Sequence, residues 1–190
     1  MSDVTQILDA VANGNQQAAK ELFPLVYEEL RKMAAQQLKY EKAGQTLQPT
    51  ALVHEVFLRM VGPANADGFA NRRHFFGAAA EAMRRILVEN ARRKGRDKHG
   101  GGRRLVKIEL DDVGQEQTEG ELLLLHEALE EFAGVDPQKA KLVELRFFGG
   151  LTLEQAADCL NISLSSADRA WRYARAWLYT AMAQESSEKT

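Results

Sequence analysis

The sequence predicts an all-α protein. Two small helical domains, residues 3–96 and 121–184, are joined by a flexible linker at 97–120, and the second contains a helix–turn–helix. Three observations carry that reading. Apolar residues recur at helical spacing along almost the whole chain, punctuated by capping residues, glycines and prolines. The period is lost only between about Gly95 and Gly120, around the consecutive glycines Gly100, Gly101 and Gly102. Beyond that gap the chain closes with two amphipathic stretches separated by three residues, Asn161-Ile162-Ser163.

In chain order, residues 3–12 form a short helix with Val4, Ile7, Leu8 and Val11 inward. Asn13-Gly14-Asn15 is a turn, and Asn15 caps a longer helix that runs to about Leu38. Its candidates for burial are Leu22, Leu25 or Val26, Leu30, Met33 and Leu38. Pro24 lies inside it. Proline lacks the amide hydrogen and its ring crowds the preceding turn, so a kink, or a break and restart, is expected there. After a loop opened by Lys42-Ala43-Gly44, a helix from about Pro49 to Val61 turns Leu52, Val53, Val56 and Met60 inward. His54, Glu55, Leu58 and Arg59 are left outside. A leucine amid an acid, a base and a histidine outlines a small docking surface; an ordinary solvated face is the alternative.

Gly62 to Gly68 is rich in turn residues. A long helix follows from about Asn71 to Lys94, with Phe76, Ala79, Ala80, Met83, Leu87 and Asn90 inside and Arg85, Arg92 and Arg96 lined up opposite, Glu89 between them. Phe69, Phe75 and Phe76 are interleaved with Arg72, Arg73 and His74. Such aromatics can stack on unpaired bases while cations hold the backbone; equally, the phenylalanines can be core residues, Phe76 foremost. In the second domain Glu121–Phe132 packs through Leu122, Leu125, Leu129 and Phe132. Asp136-Pro137 caps and opens a helix to about Phe148, ended by Gly149-Gly150.

Thr152 and Gln155 then form a capping box, with Leu151 and Ala156 placed as a hydrophobic staple. The helix they open buries Leu153, Ala156, Ala157 and Leu160. Asn161 tolerates the left-handed conformation that stops a helix, and Ser163 caps the next. In that last helix Ala167, Ala170, Trp171, Ala174, Trp177, Leu178 and Ala181 share one side. Ser165, Arg169, Arg172 and Ala176 share the other, flanked by Ser166, Tyr173 and Arg175. An apolar side fixes a helix to its own domain, while outward arginines reach phosphates and fork onto guanine. A merely solvated arginine face is the plainer alternative.

The charge pattern points beyond a single solvated surface. The net charge is only −2, yet residues 84–107 hold ten Lys or Arg against two acids, while residues 108–136 hold ten Asp or Glu and no Lys or Arg. Abutting blocks of opposite sign suit two partners, or one partner with two kinds of surface. Composition sets the outer limits. At 190 residues and 45% hydrophobic, each domain can bury a core without staples, and the lone Cys159 rules out an internal disulfide framework. The longest aliphatic run, Leu122 to Leu125, is too short for a bilayer, and no basic-then-apolar leader opens the chain. A cytoplasmic protein with no membrane partner is expected. His54, His74, His99 and His126 lie in unrelated settings, and neither metal-ligand spacing nor a phosphate-cradling glycine loop is present. No enzyme, cofactor or metal site is expected.

Four segments, in this order, resemble one family: LVHEVFLR (52–59), AMRRILVENARR (82–93), VELRFFGGLTLEQAADCLNIS (143–163) and WRYARAWLY (171–179). They are similar to the extracytoplasmic-function sigma factors of bacterial RNA polymerase, especially the branch with the RAWLY ending that is abundant in planctomycetes. The resemblance spans about residues 3–182. It implies binding to polymerase core and direction of promoter recognition and transcription initiation. His54, Glu55, Leu58 and Arg59 would then dock on the clamp coiled coil of the largest subunit. The stretch from Asn65 to Arg93 would capture the melted minus-ten strand, with Arg72, Arg73, Arg84, Arg85 and Arg92 against the backbone. Ser165, Ser166, Arg169, Arg172 and Arg175 would meet the minus-thirty-five duplex, and an apolar groove of the second domain would hold the polymerase flap tip. The acidic stretch 109–121 would thread the RNA exit path. Two positions depart from the common pattern: His54 stands where many relatives have glutamine, and Asp168 where a basic residue is usual. The resemblance leaves an anti-sigma factor open as a further partner, and a monomer is expected when free. Two other classes remain: a free-standing helix–turn–helix regulator that never meets polymerase, and an adaptor or antagonist whose basic helix meets an acidic protein.

Overall fold

The computed structural model describes residues 4–38, 47–62, 68–97 and 119–188, and among these every regular element is an α-helix. The predicted linker, apart from its two ends, and most of the acidic stretch 109–121 lie outside the described residues. The helices are α1 (Val4–Ala12), α2 (Gln16–Leu38), α3 (Pro49–Val61), α4 (Arg72–Asp97), α5 (Glu119–Val135), α6 (Pro137–Phe147), α7 (Leu153–Leu160) and α8 (Leu164–Glu188).

The element boundaries follow from local chemistry. Asn15 Oδ1 accepts from the amides of Gln17 and Ala18 at 3.0 and 3.2 Å, opening α2, and Asn71 Oδ1 accepts from His74 N at 2.9 Å, opening α4. Asp136 caps α6 through Lys139 N at 3.0 Å, with Pro137 at the first helical position. Gly150 leaves α6 at a positive φ of 63°.

Pro24 neither ends nor restarts α2, which runs unbroken from Gln16 to Leu38. Of the two outcomes expected, a kink or a break and restart, the break is absent because Leu22, Val26 and Leu30, all fully buried, bracket the proline and hold the helix in register, while Pro24 itself faces solvent. The choice between Leu25 and Val26 falls to Val26; Leu25 is 46% exposed.

The helix α4 is the axis of the molecule. Taken at 100° per residue, Phe75, Ala79, Met83 and Ile86 lie on one face, and Gly77, Ala80, Arg84 and Val88 lie on the other. All eight are buried. A helix apolar on both faces needs cover on both sides. Here α3 and α1 contact α4, as do α5, α6 and α7, and one hydrophobic core runs through both groups. Small residues make the second contact close: a Cβ placed on Gly149 would stand 3.2 Å from the Ala80 Cβ. Asn90, expected inside, is only half-buried, whereas Ile86, Val88 and Ala91 join the interior.

At the centre of that second face is Arg84, with its side chain 11% exposed. Its Nε donates to Glu144 Oε1 at 2.9 Å, and Nη1 donates to Glu130 Oε1 at 2.7 Å and to His126 Nδ1 at 3.0 Å. Lys141 bridges the same seam, 2.9 Å from Glu144 and 3.3 Å from Glu81. Removing one member of a buried pair strands the other charge. Glu144→Ala is therefore expected to lower unfolding free energy by about 3–5 kcal/mol. Glu130→Ala, whose carboxylate is 57% exposed, should cost only about 0–1 kcal/mol. Urea denaturation of the two variants checks the contrast.

Candidate nucleic-acid and partner surfaces

The hinge between α7 and α8 is built almost wholly from local interactions. Thr152 Oγ1 accepts from Gln155 N at 3.1 Å, and Gln155 Oε1 accepts from Thr152 N at 2.9 Å, the reciprocal capping box. Asn161 ends α7 in the left-handed conformation, φ 54° and ψ 44°. Ser163 Oγ accepts from Ser166 N at 3.2 Å and starts α8 after three residues. The buried side of α8 holds Ala167, Trp171, Ala174 and Leu178. The Arg146 guanidinium stacks 4.7 Å from the Trp171 ring, and Trp177 stacks on Phe132 at 4.7 Å with the rings inclined by 28°. These contacts fix which side of α8 faces outward.

That outward side carries Ser165, Arg169, Arg172 and Ala176, all exposed, with Ser166 half-buried beside them. Arg169 Nη2 donates to Ser166 Oγ at 3.3 Å, and Arg172 Nη2 lies 2.7 Å from Asp168 Oδ2. Arg175 is half-buried and its Nε is enclosed by protein, so it stands apart from the other two arginines.

The five arginines expected along the first domain occupy three kinds of setting. Arg85 and Arg92 are exposed on α4. Arg72 pairs with Glu29 and lies 5.5 Å over the Phe76 ring, while Arg73 Nη1 donates to the Asp158 carbonyl at the end of α7, 3.1 Å away. Both line a cleft of about 610 Å³ between α2, the start of α4 and α7. Arg84 is buried behind α5 and α6, so no backbone phosphate reaches it in this arrangement. Phe69, Phe75 and Phe76 are all buried, which excludes them as stacking platforms here.

On α3, Leu58 is 68% exposed and His54 is exposed beside it. His54 packs against Phe23, with ring centroids 5.1 Å apart, and Phe23 also meets Tyr27 and Phe57, at 5.3 and 4.7 Å. Arg59 bridges Glu55 at 2.8 Å and Glu89 at 2.7 Å, tying α3 to α4. That guanidinium holds the Glu89 carboxyl below its ordinary pKa range, with further help from Arg85 and Arg93. Arg59 thus has a structural job beside any docking role. Among the described residues, no group of three or more His, Cys, Asp or Glu is placed to hold a metal, and no helix is long and apolar enough to cross a membrane.

A family model described as ECF sigma factor matches residues 1–184, nearly the whole chain. The chain belongs to the ECF sigma factor family. Its role is therefore that of a sigma factor in transcription initiation with RNA polymerase, in a family of non-enzymatic proteins that bind polymerase and DNA. No curated protein and no solved structure gives a significant match to this sigma factor.

The residues that sequence reasoning missed are the partners of Arg84. Glu130, His126 and Glu144 come from α5 and α6, 42 to 60 positions away, and no local pattern ties them to it. The one available signal was the breadth of the apolar surface of α4, which runs round to Ala80 and Val88 and is wider than one buried stripe. His126 accepts from Arg84, which fixes it as neutral at Nδ1, and burial followed by the Arg84 charge pushes its pKa below the ordinary value. Arg92 from α4 lowers it further, while Glu130 and Glu127 from α5 oppose. A depressed histidine pKa means that, below about pH 6.5, the unfolded chain takes up the proton first. Stability is then lost as pH falls through that window. The thermal midpoint of the native protein should drop more between pH 7.5 and 5.5 than that of His126→Gln, which retains an acceptor; equal drops would remove His126 from the account.

Proposed function

We propose that this sigma factor divides its work among three surfaces. The exposed face of α8 reads duplex DNA upstream of the start site, the minus-thirty-five element. The basic outer side of α4 holds the melted minus-ten strand. The α3 patch around Leu58 docks on the clamp coiled coil of polymerase, and the apolar groove of the second domain takes the flap tip. Residues 3–96 and 121–184 act as the two domains joined by the linker 97–120, and the acidic stretch 109–121 threads the RNA exit path.

The observation that carries this reading is the α7–α8 unit, where a three-residue hinge sets Arg169 and Arg172 outward, opposite a buried stripe from Ala167 to Leu178. A helix held in that way offers its N-terminal half to a major groove. On α4 the exposed Arg85 and Arg92 are the first cations a single strand meets; Arg93, equally exposed, belongs with them. Arg84 joins only when α5 and α6 move off it. Nothing covalent happens in the protein: binding energy offsets the few kcal/mol needed to unstack each extruded base.

Run-off transcription with purified core polymerase tests the reading. Arg172→Ala or Arg169→Ala is expected to cut promoter-specific transcripts about tenfold or more, since a bidentate arginine–base contact contributes about 1–3 kcal/mol of discrimination. Core binding should be unchanged. Full transcription with both arginines replaced removes α8 from duplex recognition. Independently, Leu58→Ala combined with Glu55→Ala is expected to weaken association with core about tenfold in a pull-down titration, as truncation at a hot spot does; undiminished association excludes the α3 patch.

A further inference from the structure

Asp168 is an acid on the face of α8 that otherwise presents arginine and serine. Its Oδ2 lies 2.7 Å from Arg172 Nη2, one helical turn on, while the Arg172 side chain remains 75% exposed. The bland explanations of this acid are weak. It stands at the fifth position of α8, beyond the first turn where a carboxylate complements the helix dipole. An exposed pair at this spacing contributes little to stability. Against DNA the carboxylate is a liability, because it repels phosphates and halves the net charge that Arg169 and Arg172 bring to this face.

We propose that Asp168 is a positioning residue that aims Arg172 at a base edge and, by the same charge, lowers affinity for DNA in general. This rests on the reading of α8 as the duplex-facing helix. Side chains on a helix lean toward its N-terminus, and the pairing holds the Arg172 guanidinium back along α8 beside Asp168, one turn earlier. One amino group is committed to the carboxylate. The remaining donors of the planar fork stay free for two parallel hydrogen bonds, the pattern that guanine accepts at O6 and N7. An arginine already pinned loses less freedom on docking than one that is swinging. The pair is close to neutral, so little of what it gains comes from phosphates. Asp168 thereby exchanges affinity for discrimination.

The experiment uses the holoenzyme assembled with core polymerase, a promoter selected by that holoenzyme from a random library, and the same duplex with its upstream element scrambled. Fluorescence anisotropy gives both affinities for the wild type, D168N, D168E, R172A and the D168N/R172A double variant. D168N should bind the scrambled duplex about two- to threefold more tightly, as removal of a repelling charge does. Its ratio of promoter to scrambled affinity should fall about tenfold, the scale of one bidentate contact. D168E, which keeps the carboxylate, should restore the ratio, and D168N should change the ratio no further in an R172A background. In the free protein the Arg172 Nε–Hε resonance should shift in D168N. The proposal is overturned if D168N strengthens both affinities equally, if its effect adds to that of R172A, or if the Arg172 resonance stays in place. A wild-type holoenzyme with no preference for any upstream sequence is a different failure: it removes the duplex-reading role of α8 itself.

Discussion

The guanidinium of Arg84 sits in the middle of the protein with almost no access to water, and the arrangement of helices around it answers that constraint. A buried cation is tolerable only when its donors are met and its charge is opposed. Glu144 and Glu130 supply the charge, His126 supplies a neutral acceptor, and Lys141 occupies the second oxygen of Glu144. Because these partners come from α5 and α6, satisfying Arg84 requires those helices to lie along α4. The hydrophobic core then extends through the contact, and Gln37 of α2 reaches the Phe147 carbonyl at the end of α6.

This packing sorts the basic residues of the sigma factor into those open to solvent and those enclosed. Arg85, Arg92, Arg93, Arg169 and Arg172 are exposed. Arg72 and Arg73 are engaged at the junction with α2 and α7, and Arg84 is enclosed. The outer face of α8 points away from the core in any case, since Trp171 and Leu178 are fixed inside. The proposed duplex contact by α8 and strand contact by α4 would therefore make unequal demands on the fold: the first would use a surface already formed, the second would gain its most buried arginine only by rearrangement.

What could be read from the chain was decided by distance along it. The Thr152–Gln155 box, the left-handed Asn161, the Ser163 cap and the Asp136-Pro137 start are interactions among near neighbours, and each appears in the structure where its residues stand. At Pro24 the break and restart, one of the two outcomes expected, does not occur, because intrinsic preference is outweighed by three buried neighbours on the same helix. Arg84 was legible only as a cation, since nothing within its own helix foretells the acids that enclose it. The phenylalanines near Arg72 and Arg73 fit stacking or core equally well by spacing, and burial alone assigns them to the core. Family membership, by contrast, was legible throughout, because it rests on the order of several segments and not on any contact.

The paired small residues at the α4 seam have one more outcome. With Gly77 against Lys141 and Leu145, and Gly149 against Ala80, the two surfaces approach closely. Peeling them apart would wet Val88, Leu87 and Phe148 at about 25 cal/mol per Å² of apolar area, besides stranding Arg84. A molecule that parts along this plane is therefore left adhesive, and whatever replaces α5 and α6 must itself be smooth, greasy and armed with a carboxylate at one spot.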